Sequence, residues 1–109
     1  MEISTRTSND VHIVAIAGSM DSTTSPEAQK ALDGVLAAAS KVALDFTQLD
    51  YISSAGLRVL LGAAKTLRAS GGSLRLFGLN PSVREVFEIS GFSTILAVYP
   101  TEVEAVQGG

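Results

Sequence analysis

The sequence predicts an α/β domain: a mixed sheet of five strands that opens with a β-hairpin and is packed by about four helices. Three observations lead there. Residues Val11 to Gly18 alternate as a strand does, directly after the turn-forming pair Asn9-Asp10, and this reads as the second arm of a hairpin. Beyond it, short apolar runs take turns with stretches whose apolar residues recur at spacings of three and four, the order expected of strands joined by crossover helices. Elements assigned in this way use the 109 residues, as one domain over 1–109, without a long unexplained loop.

Each element has its own warrant. Glu2 to Thr7 alternates weakly and forms the first arm of the hairpin. Gly18 to Ser25 (GSMDSTTS) is a polar loop, and Ser25-Pro26 opens the first helix, with Thr24 and Glu27 at capping-box spacing. On that helix Ala28, Ala31, Leu32, Val35, Leu36 and Ala39 share a face, while Glu27, Lys30 and Asp33 lie off it. Val42, Ala43, Leu44 and Phe46 form a buried strand. A polar turn over Thr47, Gln48 and Asp50 follows, and Tyr51-Ile52 return to apolar character. Ser53-Ser54 then stand directly before Leu57, Leu60, Leu61, Ala64 and Leu67, one face of a second helix that ends at Ser70 to Gly72.

The remainder follows the same logic. Ser73 to Leu79 is a strand, and Asn80-Pro81 starts a third helix in which Val83, Val86, Phe87 and Ile89 or Ser90 turn inward until Gly91 closes it. Ile95 to Tyr99 is a last short strand. Pro100-Thr101 begins a final helix through about Val106, and residues from about 107 to 109 are expected to fray.

Composition removes several classes of function. A net charge of −3, with no cluster of Lys or Arg, gives no electrostatic footprint for nucleic acid. The absence of cysteine excludes a disulfide framework, thiol catalysis and cysteine-based metal sites. No apolar run reaches the length that crosses a bilayer, and the N-terminus lacks the basic start and apolar stretch of a secretory signal. A soluble, cytoplasmic protein without cofactor or metal is expected.

Chemistry concentrates at the start of the second helix. Free first-turn N–H groups and the positive end of the helix dipole suit an anion there, and a serine hydroxyl at that place is well situated to carry a phosphate. The plainer account is that one serine caps the helix through its hydroxyl. The text around the pair bears on the choice. Asp45-Phe46-Thr47, Tyr51-Ile52-Ser53-Ser54-Ala55-Gly56-Leu57-Arg58 and Leu60-Leu61 together closely resemble the signature segment of the STAS domain of bacterial anti-sigma factor antagonists. The resemblance covers nearly the whole chain. Gly18-Ser19-Met20-Asp21, Gly71-Gly72, Gly78-Leu79-Asn80-Pro81 and Gly91-Phe92 match the family's motifs in order and spacing.

The resemblance implies partner switching. An antagonist of this kind binds an anti-sigma factor, a serine kinase with an ATP-binding fold, and so frees a sigma factor. The kinase phosphorylates the antagonist at the start of the second helix and the complex separates, and a metal-dependent serine phosphatase reverses the modification. One departure matters. The family's commonest segment reads Asp-Ser-Ser-Gly-Leu, with the acceptor serine directly before the glycine, and here that position is Ala55. Either the acceptor has moved to Ser54, with Ser53 as second choice, or phosphorylation does not regulate this chain; Ser54 is preferred. Asp21, Ser53, Ser54, Ala55 and Gly56 are assigned to partner contact, and so is Arg58, which falls off the apolar face of the second helix and for which a solvated charge is the equal alternative. For Thr47 and Asp50 turn formation is the better account.

Two other classes compete. An enzyme built on Ser54 would need a base, and the lone histidine, His12, stands in another strand with no motif around it. The stretch Gly62 to Thr66 resembles a phosphate-binding loop only superficially, since it lies within a helix. No catalytic residue is assigned. The alternative is a non-catalytic STAS subunit of a membrane lipid-transport or other ATPase complex, bound constitutively and not switched by phosphorylation.

Overall fold

A computed structural model of the chain describes residues 1–92 and 96–107. Strand β1 (Glu2–Ser8) runs antiparallel to β2 (Val11–Met20) through a tight turn in which Asn9 and Asp10 both have positive φ, 49° and 69°. Asn and Asp tolerate that conformation better than other side chains, which is why this pair can close the hairpin. Helix α1 (Ser25–Leu36), strand β3 (Lys41–Asp45), strand β4 (Leu49–Ile52), helix α2 (Ser54–Ala69), strand β5 (Ser73–Phe77), helix α3 (Pro81–Ser90), strand β6 (Ala97–Tyr99) and helix α4 (Glu102–Gln107) follow.

The main sheet has the order β1-β2-β3-β5-β6, parallel throughout except for the opening hairpin, and β4 pairs in parallel with the C-terminal end of β2. Both faces are covered. Alternation along β2 sends Val14 and Ile16 into a large core with Ala28 and Leu32 of α1, Leu57, Leu60 and Leu67 of α2, and Val83 and Phe87 of α3. It sends Val11 and Ile13 to the other face, where Ala43, Phe77 and Ala105 of α4 complete a smaller core. Central β3, buried on both sides, therefore reads as a continuous apolar run.

Arg75 lies in the sheet beneath α4 and is buried. Its Nη1 donates to the carbonyls of Ala105 (2.9 Å) and Val106 (3.1 Å), and its Nη2 donates to Ser73 Oγ (3.3 Å). It thus satisfies carbonyls that the end of a helix leaves free. At the sheet edge Arg6 pairs with both Asp45 and Glu102. The Glu102 carboxylate, then Asp45, raises the guanidinium pKa against the opposing effect of burial.

Several expectations need correction. The sheet has six strands rather than five, because Leu49–Ile52 is itself a strand. Its burial runs in, out, out, in, and a four-residue segment of that pattern carries no clear period. The same pairing keeps Gly18, Ser19 and Met20 in β2, so the following loop is only 21–24. Ile89 is 79% exposed and Ser90 is exposed, so α3 buries Val83 and Phe87 alone, with Val86 half-buried. Strand β5 stops at Phe77, before Gly78 with φ 76°. Of the expected strand Ile95 to Tyr99, only Ala97–Tyr99 is extended, and Ile95 lies outside the described residues, as do 108–109. Gln107 closes α4.

The helix ends match the sequence better. Gly71 has φ 82°, and the N–H groups of Gly71 and Gly72 return to the carbonyls of Arg68 and Leu67, the left-handed cap expected of a Gly-Gly pair. At α3, Asn80 Oδ1 accepts from Val83 N at 2.8 Å.

Candidate functional site

The start of α2 is held by the end of β2. Ser53 N donates to the carbonyl of Met20 at 2.8 Å, and Leu57 N donates to the carbonyl of Ser53, which opens the helix. Gly56 is buried in the first turn. A methyl group there would lie 2.7 Å from Ile52 Cγ1 and 2.9 Å from Met20 Cβ, closer than packed carbons approach. The absence of a side chain therefore lets α2 sit directly on the strand end. This close approach is internal to the chain.

The two serines differ. Ser54 is the first residue of α2 and is exposed. Ser53 occupies the capping position, yet its hydroxyl caps nothing: Oγ is buried and has no hydrogen-bond partner among the described residues. The expected capping bond is therefore not formed at either serine. Ser54 already lies inside the helix, and the amides of its first turn lack a side-chain cap, in contrast to the Asn80-capped α3.

The loop beside this site is ordered by Asp21. Its Oδ1 accepts from the N–H groups of Thr23 (2.9 Å) and Thr24 (3.0 Å). Those bonds, Thr24 first, hold the carboxyl below the ordinary aspartate range. The expected capping box at Thr24 does not form. The Thr24 hydroxyl donates instead to the carbonyl of Ser19 (2.7 Å) and accepts from Asp21 N (2.9 Å), so it closes the loop rather than capping α1.

A groove of about 310 Å³ runs between the N-terminal ends of α1 and α2, lined by Ser22, Ser25, Pro26, Gln29, Ala55, Arg58 and Val59. Ala55 and Arg58 thus face the same space. Ser25, which the sequence marks only as the start of the first helix, is 4% exposed, and its hydroxyl, like that of Ser53, has no partner among the described residues.

Other candidates fall elsewhere. His12 pairs with Thr7 and Val42, eight residues before Met20 on the same strand, or about 26 Å away at ~3.3 Å per residue. The structure does not bring it to the serines. Thr47 donates through its N–H (3.0 Å) and hydroxyl (2.7 Å) to Asp45, which is the turn-forming role expected of it. Burial pushes the Asp45 carboxyl up, and these bonds with Arg6 outweigh it and leave the pKa lowered. Asp50 is exposed; its carbonyl and that of Leu49 accept from Asn80 Nδ2, at 3.4 and 2.9 Å, so Asn80 fastens β4 as well as capping α3. A larger cavity of about 570 Å³ lies over Ile3, Ala15, Ala17 and Asp45 and includes neither serine in its lining. No described helix is long and apolar enough to cross a membrane.

Comparison with known proteins gives a consistent picture. A family model described as the STAS domain matches residues 2–105. The anti-sigma-B factor antagonist of Listeria monocytogenes is 35% identical over 105 residues, 95% of this chain and 91% of that one. The protein BtrV of Bordetella bronchiseptica is 62% identical over 58 residues, 53% of this chain and half the length (50%) of BtrV. Among solved structures, an anti-sigma factor antagonist from Mycobacterium paratuberculosis superposes with a TM-score of 0.90 at 21% identity, covering 98% of this chain and 92% of that one.

Proposed function

The chain belongs to the STAS domain family, among the anti-sigma factor antagonists, and from that premise we propose that it switches partners through phosphorylation of Ser54. In its unmodified form it binds an anti-sigma factor that is a serine kinase with an ATP-binding fold. The Ser54 hydroxyl oxygen attacks the γ-phosphorus of the kinase's ATP. The new O–P bond forms as the bond to the ADP leaving group breaks, and the hydroxyl proton passes to a base of the kinase. A metal-dependent serine phosphatase removes the phosphate, and the cycle runs in the cytoplasm.

The observation that carries this reading is the contrast between the serines. Ser54 is exposed on an uncapped helix start, whereas the Ser53 hydroxyl is buried where a kinase cannot reach it without unfolding the turn. Asp21, Ala55 and Arg58 surround that start and form the contact surface with it. Gly56 contributes by setting the height of the helix on β2.

The switch has a physical basis. Phosphate adds roughly −1.5 to −2 charges and three strong acceptors. At the helix N-terminus the chain tolerates it. In a contact built around a neutral hydroxyl, the same charge must be desolvated against the partner. A loss of about 1.4 kcal/mol weakens binding tenfold, so a few kcal/mol separates the complex.

The test is phosphosite mapping by mass spectrometry after incubation with ATP and the candidate kinase, with Ser54→Ala and Ser53→Ala in parallel. One phosphate on Ser54, lost only in Ser54→Ala, is the expected result. A phosphate on Ser53, or none with any partner kinase, would overturn the assignment; the second outcome would leave a constitutively bound subunit.

A further inference from the structure

The groove between α1 and α2 holds unused chemistry. Among the described residues, the hydroxyl of Ser25 in its wall, a residue 4% exposed, has no partner, and the exposed Arg58 forms no ion pair or hydrogen bond. Neither α1 nor α2 has a side-chain cap, so two positive helix ends border the same space. Arg58 is the one cation among the lining residues. Asp33 of α1 lines a separate adjoining pocket of about 120 Å³ that also borders Arg58, and is not paired with it. Asp21, in the loop before α1, has its carboxylate occupied by the N–H groups of Thr23 and Thr24. An unpartnered buried hydroxyl, an uncommitted guanidinium and two helix ends are donors awaiting an anion.

Ser54 supplies one. Ser54 and Arg58 are four residues apart on α2 and so lie one above the other on the same face. We propose that the phosphoryl group carried by Ser54 is received by Arg58 at the mouth of this groove, so that phosphorylation withdraws the groove's cation from the partner as well as adding charge. This rests on the proposed modification of Ser54 and specifies how the modified chain holds its phosphate. The guanidinium can meet phosphate oxygens in a two-pronged, charge-assisted contact that a lysine cannot reproduce.

The experiment uses the full chain with phosphoserine encoded at position 54 during translation, which needs no kinase, and follows the phosphorus NMR signal against pH. Free phosphoserine loses its second proton near pH ~6. The phosphate on Ser54 should titrate below that value. Arg58→Gln should raise it by about half a unit or more, Arg58→Lys should fall between, and the side-chain N–H signal of Arg58 should move with the phosphate. Equal titration in the native and Arg58→Gln chains, with folding verified by backbone amide spectra, would mean that the helix end alone holds the phosphate and would overturn the proposal. Failure of any kinase to modify Ser54 counts against the functional reading, whereas an unchanged titration counts against Arg58.

Discussion

The Ser53 amide donates to the Met20 carbonyl at 2.8 Å, and this bond joins the start of α2 to the last residue of β2. Met20 is followed directly by Asp21, whose carboxylate orders the loop into α1. The end of one strand therefore places both helix starts and the groove between them. The exposed Ser54 is held by backbone geometry rather than by contacts of its own side chain.

Gly56→Ala tests how tightly that junction is packed. The added methyl meets Met20 Cβ and Ile52 Cγ1 at under 3 Å in a buried setting, so either the helix start or the strand must shift. Overpacking of this kind costs about 1–3 kcal/mol. Urea unfolding should show a loss in that range, with the amide signals of Ser53 to Leu57 displaced. A neutral Ala variant would mean that α2 does not rest on β2 as described.

Ser53→Ala separates a capping serine from an orphaned one by sign. Loss of a working N-cap typically destabilises by about 1 kcal/mol. Here the hydroxyl is buried and makes no bond among the described residues, so its removal relieves an unsatisfied group and should leave stability unchanged or raised. Denaturant midpoints of the two chains provide the comparison, and a drop of a full kcal/mol would show that the hydroxyl is engaged after all.

Sequence pattern revealed the parts whose physics is local. Asn9-Asp10 announced the hairpin, Gly71-Gly72 the end of α2, and Asn80-Pro81 the start of α3, because each depends on backbone preferences of two or three adjacent residues. Strand β4 was hidden because its pairing partner, the end of β2, is about thirty residues away in sequence, and four residues carry too little period to announce it. Ser53-Ser54 could be placed at a helix start from sequence. Which hydroxyl faces solvent could not, since that depends on how α2 lies on Met20 and Ile52. Thr24-x-x-Glu27 misled for a related reason: Asp21 and the Ser19 carbonyl compete for the hydroxyl that a capping box would use.

Arg75→Met should loosen α4. The arginine donates to the carbonyls of Ala105 and Val106 from within the sheet, and methionine keeps much of the volume while leaving both acceptors unpaired. An unsatisfied buried group costs about 1–3 kcal/mol. Hydrogen exchange should rise at the α4 amides of Ala105 and Val106, while Leu57, Leu60 and Leu67 in the larger core keep their protection. Equal exchange in both chains would mean that apolar contacts alone hold the six-residue helix.

Acid should weaken the loop beside Ser54 through Asp21. Its carboxyl is held below the unfolded aspartate value of ~3.9 because the charged form accepts from Thr24 and then Thr23. With the folded pKa depressed, the stabilising contribution is complete above the unfolded value and is lost as the pH falls through the lower folded one. Asp21→Asn keeps an acceptor oxygen but has no charge to lose. The stability gap between native and variant chains, measured by urea unfolding, should be widest above the unfolded value of ~3.9 and close as the pH falls through the lower folded one. Asp45, also lowered, is present in both chains and cancels from the difference. A gap of equal size at both ends of the range would show that the Asp21 bonds do not depend on its charge, and the loop would have to owe its shape to the Thr24 hydroxyl instead.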